Sequence, residues 1–202
     1  MDKKAILQIG TATHAEYLPL VDPSLYSHAL CGALPIDFPE LHRNQWKYFG
    51  VDMCGFAVNR CKEKFATHPD VTFLQECVYD GSEVRHDDFT IGLGEIAVKS
   101  ITLDTLLDII PAYVSLLAID VEGSEIILLN AYSWKHKPRI VIIEMHDADE
   151  VDAIHELMHQ QGYVIEAVGY QFHCLNVAYV REKPNSISQR RRIRIHIEGA
   201  KL

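Results

Sequence analysis

Glycine-rich phosphate loops, paired cysteines and long apolar runs are all missing from this chain, and each absence removes a class of protein. Five cysteines, Cys31, Cys54, Cys61, Cys77 and Cys174, make an odd set with no CxxC pair. That argues against a disulfide framework and an all-cysteine zinc site, and it points to a reducing compartment. No stretch nears the roughly 20 apolar residues of a membrane span. MDKKAILQIG runs straight into a strand pattern without a signal-peptide cleavage region, so a soluble, cytoplasmic protein is expected. Positive charge is scarce outside one end: residues 182–202 carry +4, and the first 181 carry −13 of the net −9. An acidic body repels a phosphate backbone, which argues against nucleic acid as the principal substrate.

What is present is enough for one globular domain: 48% of the 202 residues are hydrophobic and 23% are charged, an ordinary share. Short Val- and Ile-rich runs alternate with helix-sized polar segments, the rhythm of a parallel sheet with crossover helices. Strands are expected at Ala5 to Gly10, Trp46 to Asp52, Val71 to Val78, Val114 to Val121 and Arg139 to His146. Tyr163 to Tyr170 and His173 to Arg181 are separated by two residues, too few for a crossover, so they form an antiparallel hairpin. Helices fit at Gly55 to Thr67, Leu103 to Ile110, Ser124 to Asn130 and Asp149 to Gln161, the last stopped by Gly162. FTIGL and AVKSITL suggest a small extra hairpin. Four of the eight prolines fall between Pro19 and Arg43, marking an insertion read as a packed lid at 19–43. The expected layout is an α/β domain over residues 1–181 and a basic tail over 182–202. A solvated tail is favoured, although Ile193, Ile195 and Ile197 alternate as an edge strand or a homodimer contact would require.

In an open parallel sheet, ligands bind beyond the carboxyl ends of the strands. The first strand ends Gln8, Ile9, Gly10, Thr11 without the remaining glycines of GxGxxG. The second ends in Asp52, either an acceptor for ribose hydroxyls or a cap for the next helix. The fourth ends Ile119-Asp120-Val121-Glu122-Gly123-Ser124-Glu125, with Asp120 and Glu122 on one side of the extended chain. Such carboxylates repel unless a proton or cation lies between them; capping the next helix is the other reading. The fifth closes Glu144-Met145-His146, an acid and an imidazole two apart.

LLAIDVEGSEIILLNAYSWKHKPRIVIIEMH resembles the hallmark segment of the FkbM family of S-adenosylmethionine-dependent methyltransferases. ITLDTLLD, WKYFGVDMCGFAVNRCKEKF, VTFLQECVYD and the QIG of the first strand support the resemblance, which covers about residues 5–181. It implies a Rossmann-like class I methyltransferase fold, an α/β architecture with a seven-stranded, mostly parallel sheet whose last strand is antiparallel. It also implies S-adenosylmethionine as cofactor and methyl transfer to a hydroxyl of a small molecule or sugar. Gln8, Gly10 and Thr11 would then face the methionine end, Asp52 and Met53 the ribose, and the Cys77-Val78 backbone the adenine edge. Asp120, Glu122, Glu144 and His146 would serve the reacting centre, with Asp120 also near the cofactor. The same four side chains form an oxygen-rich set for Mg²⁺ or another divalent ion, which the sequence leaves open. Where the family has Ala-Asn-Asp-Gly after its first glycine, this chain has Thr11, Ala12, Thr13 and His14. That departure keeps a non-catalytic binding module as the alternative. A nicotinamide-dependent oxidoreductase fits less well, because glycine-rich phosphate recognition is missing.

Overall fold

Apolar runs that alternate buried side chains to both faces of a sheet set the architecture, and the segments between them supply the helices. The computed structural model describes residues 4–12, 46–87, 95–146, 148–171, 174–181 and 194–197. In chain order the elements are β1 (Lys4–Ile9), β2 (Lys47–Asp52), α1 (Gly55–Lys64), β3 (Val71–Gln75), β4 (Val78–Tyr79), β5 (Glu83–Asp87), β6 (Glu95–Lys99) and β7 (Ile101–Thr102). There follow α2 (Leu103–Ile109), β8 (Tyr113–Ile119), α3 (Glu125–Ala131), β9 (Ile140–Met145), α4 (Ala148–Gln160), β10 (Tyr163–Gln171), β11 (Cys174–Arg181) and β12 (Arg194–Ile197). The expected lid at 19–43 lies outside the described residues, as does the start of the basic tail, 182–193.

The main sheet has the order β12-β10-β11-β9-β8-β1-β2-β3. All neighbours are parallel except β11, which runs antiparallel to both β9 and β10. This is the expected seven-stranded sheet with an antiparallel last strand, enlarged by β12, which pairs parallel with β10 from Ala167↔Arg194 to Tyr170↔Ile197. The sequence reading favoured a solvated tail; four of its residues instead form the edge strand. The small hairpin also differs from expectation. Its arms are β5 and β6, paired from Glu83↔Lys99 to Asp87↔Glu95, while Phe89 to Leu93 lie outside the described residues.

Alternation along each strand divides the core in two. Leu7, Phe49, Leu117, Val141 and Ile143 face α2, α3 and α4, meeting Leu106, Leu128, Leu129, Ile154 and Met158. Ile6, Tyr48, Leu116 and Ile142 point the other way, packing with Val58 and Cys61 of α1 and with Phe65 beyond it. Each fully buried Leu or Ile contributes about 1.5–3 kcal/mol, so these two layers fix the register of the sheet. Thr102 caps α2 by accepting the Thr105 N–H at 3.2 Å, which explains why a helix starts at the ITLDT segment. Gly162, at φ +84°, ends α4 as expected. No helix among the described residues is long and apolar enough to cross a membrane.

Candidate active site at the carboxyl ends of the strands

The strand order reverses between β1 and β8, so the loops after these strands diverge and leave a crevice. Gly10 sits at that point with φ +80°, and a Cβ built on it would lie 1.6 Å from the Asp120 carbonyl oxygen. Only glycine fits so close an approach of two backbones. The Gly10 N–H donates to the Val51 carbonyl at 2.8 Å, and the Asp120 N–H donates to the Ile9 carbonyl at 3.0 Å. The ends of β2, β1 and β8 are thereby locked side by side.

Asp52 closes β2 and uses both carboxylate oxygens: one accepts the Ala12 N–H and the other the Cys54 N–H, each at 2.8 Å. It therefore ties the loop after β1 to the start of α1. Each oxygen keeps a further acceptor position. Thr11 is buried, and its hydroxyl has no partner among the described residues. Met53 follows, partly exposed.

Across the crevice, three of the expected acids meet at the imidazole of His146. His146 Nε2 lies 3.3 Å from Asp120 Oδ1 and 3.9 Å from Glu144 Oε1, and Nδ1 lies 3.7 Å from Glu122 Oε2. The Glu122 side chain is 81% exposed, whereas Asp120 and Glu144 are at 28% and 21%. Burial, with the Glu144 charge added, pushes the Asp120 carboxyl up to about 6. For His146, burial pulls its pKa downward, but the Asp120 hydrogen bond and the surrounding acids outweigh it and raise the pKa above its ordinary value.

Two members were not expected. Cys174 Sγ is 3.2 Å from His146 Nδ1. Burial and its hydrogen bond to Glu144 push that thiol up to about 12. The position follows from topology: β11 runs antiparallel, so its first residue falls beside the last of β9, where Leu175 pairs with Met145. The single sequence signal was the two-residue hairpin spacing. The second is Glu125, fully buried, whose Oε1 accepts N–H bonds from Val121 at 3.1 Å and Gly123 at 3.2 Å. This folds the turn in which Glu122 takes φ +53°. The two readings of the acids after β8 thus divide between residues: Asp120 and Glu122 face His146, and Glu125 supports the backbone.

Other expected residues are also engaged within the fold. Gln8 is buried and accepts the Tyr48 hydroxyl at 2.6 Å, so its side chain belongs to the core. Cys77 and Val78 are buried beyond β3, and the Cys77 carbonyl accepts the Ile101 N–H at 2.8 Å. A hollow of about 790 Å³ lies at the opposite end, where Lys47 begins β2 and Tyr113 begins β8. Its lining includes none of the residues of the His146 cluster.

Comparison with known proteins gives this geometry its context. Residues 26–165 match the model of the methyltransferase FkbM domain, more than half of the chain. No curated protein matches it. TrmK of M. capricolum, solved with S-adenosyl-homocysteine, aligns at TM-score 0.52 and 14% identity over 94% of this chain and 68% of that chain. Fibrillarin of Aeropyrum pernix, with natively bound S-adenosyl-L-methionine, aligns at 0.53 and 10% identity over 89% and 66%. The methyltransferase FkbM of Methylobacillus flagellatus KT aligns at 0.51 and 14% identity over 87% and 43%, so this chain spans less than half of that one. The sheet order and its crevice are those of a Rossmann-like class I methyltransferase fold. Within that class, the chain belongs to the FkbM methyltransferase family.

Proposed function

We propose that the protein is an S-adenosylmethionine-dependent O-methyltransferase acting on a hydroxyl of a small molecule or sugar. The observation that carries this reading is the ring of Asp120, Glu122 and Glu144 around His146, set at the switch point of a methyltransferase-family fold. The residues on the other side of the crevice fit the cofactor. Gly10 lets the turn after β1 pass against the Asp120 carbonyl, Thr11 has a buried hydroxyl without a partner among the described residues, and Asp52 retains acceptor positions toward ribose hydroxyls. Gly10, Thr11, Asp52 and Met53 hold the methionine and ribose parts, Gln8 supports them from the core, and the Cys77–Val78 backbone serves the adenine edge next to Glu76, whose N–H bonds the Asp52 carbonyl at 3.1 Å.

S-adenosylmethionine supplies an electrophilic methyl group on a sulfonium that leaves as a neutral thioether. The chain's own task is to align the acceptor oxygen in line with that methyl and to remove its proton. The Asp120–His146 pair accepts the proton as the oxygen–carbon bond forms, and Glu144 and Glu122 orient the acceptor at the mouth.

The test is incubation with S-adenosylmethionine and a panel of hydroxylated acceptors, with product followed by mass spectrometry and S-adenosylhomocysteine affinity measured by calorimetry. Methyl ethers formed by wild type, with rates about 10²-fold lower in His146→Ala, support the reading. Wild-type rates in both Asp120→Asn and His146→Ala would remove this cluster from the chemistry. Cofactor binding without turnover on any acceptor would favour the binding module.

A further inference from the structure

The cluster at His146 is more than a group of acids. It joins an imidazole, a thiol and carboxylates, and the thiol changes which cation would suit it. An all-oxygen set suits Mg²⁺, whereas imidazole with thiolate selects a borderline-soft ion that prefers tetrahedral geometry.

We propose that Cys174, His146 and Glu144 form a binding site for a zinc-type divalent transition metal ion beside the reacting centre. Ligand atoms of these three residues all lie within 4.8 Å of one another. Ligands about 2.0–2.3 Å from a tetrahedral ion sit roughly 3.3–3.8 Å apart. The Cys174 Sγ to His146 Nδ1 separation of 3.2 Å is close to that range, and Glu122 Oε2, 3.7 Å from the same nitrogen, lies within it. Glu122, exposed and carried on a turn, groups with Asp120 and His146 rather than with Cys174 and Glu144, so solvent completes the shell of the three-residue site.

The other face of the imidazole supports the assignment. With Nδ1 on the metal, Nε2–H donates to Asp120 Oδ1 at 3.3 Å, the carboxylate–histidine–metal arrangement that fixes ring orientation, so in the metal-loaded protein Asp120 is the member of the pair that takes the acceptor's proton and His146 holds it in place. Among the described residues no Lys or Arg pairs with Asp120, Glu122 or Glu144, and the basic group beside all three acids is His146 itself. Binding displaces the thiol proton to solvent as the metal–sulfur bond forms, and no oxidant or reductant is needed. The ligand set itself is independent of the methyl-transfer reading; the ion's place beside the reacting centre rests on it.

Co²⁺ is the probe, because a cobalt–thiolate bond adds a charge-transfer absorption that carboxylates alone cannot give. Titration of the full chain should produce a saturable charge-transfer band, which Zn²⁺ displaces. Cys174→Ser, nearly isosteric, should abolish the band, and Glu144→Gln and His146→Ala should each weaken binding about tenfold or more. Asp120→Asn should keep the band while weakening affinity about 10–100-fold, as expected of a group that orients the ligand. Absence of the band in wild type, or its survival in Cys174→Ser, overturns the site. S-adenosylhomocysteine calorimetry on the same samples separates the two readings. Cofactor binding without a cobalt band removes only the metal site, and a Cys174-dependent band without cofactor binding removes only the methyl-transfer reading.

Discussion

Glu125 is fully buried and carries a carboxylate, a combination that costs stability unless the charge is well satisfied. Its Oε1 satisfies two N–H groups of the turn after β8, each such bond to a charged group worth about 1.5–3 kcal/mol. Glu125→Ala is therefore expected to lower unfolding free energy by about 3 kcal/mol or more in denaturant titrations. Glu125→Gln, which keeps one acceptor oxygen, should recover most of that loss. If both variants are equally destabilised, charge rather than hydrogen bonding holds the turn. Asp52 is a parallel case with a second duty. Its oxygens hold Ala12 and Cys54, so Asp52→Ala should lower stability and also weaken S-adenosylhomocysteine binding at least about tenfold. Unchanged cofactor affinity in a destabilised Asp52→Ala would leave this residue a clamp between β1 and α1, with no ribose contact.

At the level of elements, the strands were readable because both of their faces are buried. Leu116 to Ile119 and Ile140 to Ile143 are continuous apolar runs, and the acids and imidazole that follow them mark where burial ends. The ends of the runs therefore gave Asp120, Glu144 and His146 directly. Cys174 escaped because its significance depends on strand direction: a residue opening an antiparallel strand shares an end with residues closing parallel ones. Gln8 shows the converse, since its strand-end position does not reveal that its side chain accepts the Tyr48 hydroxyl. Another pair shows what packing between elements does to an ionisable group. His155 of α4 bonds the Tyr179 hydroxyl of β11, and burial holds its pKa below the ordinary value, with Asp152 opposing only in part. The fold thus favours neutral His155: its contribution is full above about pH 6.5, the unfolded histidine value, and is lost as pH falls through the lower folded value. His146 and Asp120 have raised pKa values and the opposite sign. The informative quantity is consequently a difference. His155→Gln should lose less thermal stability than wild type on acidification below neutrality, measured as Tm at matched ionic strength. An identical acid slope in both proteins would show that His155 does not contribute to that loss.

Across the whole molecule, charge and sheet edge are distributed unevenly, and β12 lies where the two meet. Residues 1–184 carry a net charge of −13, while the basic end supplies the strand that covers β10. An uncovered β10 would present the outer edge of a nine-residue strand, a template for pairing with another chain. Four paired residues of β12 at an edge add little to a core already closed by seven strands. Loss of about 1 kcal/mol lowers Tm by about 2–4 °C in a domain of this size. Truncation after Pro184 is therefore expected to keep a single cooperative transition, with Tm lower by only a few degrees. The truncated body should then associate through the bared edge. Its acidic charge opposes that association at low salt and is screened as salt rises, so light scattering should find growing apparent mass with ionic strength in the truncated chain only. Loss of the cooperative transition would make the tail integral to the core. A truncated chain that is monomeric at every salt concentration, from a full chain that is dimeric, would mean that β12 is the element that joins two copies.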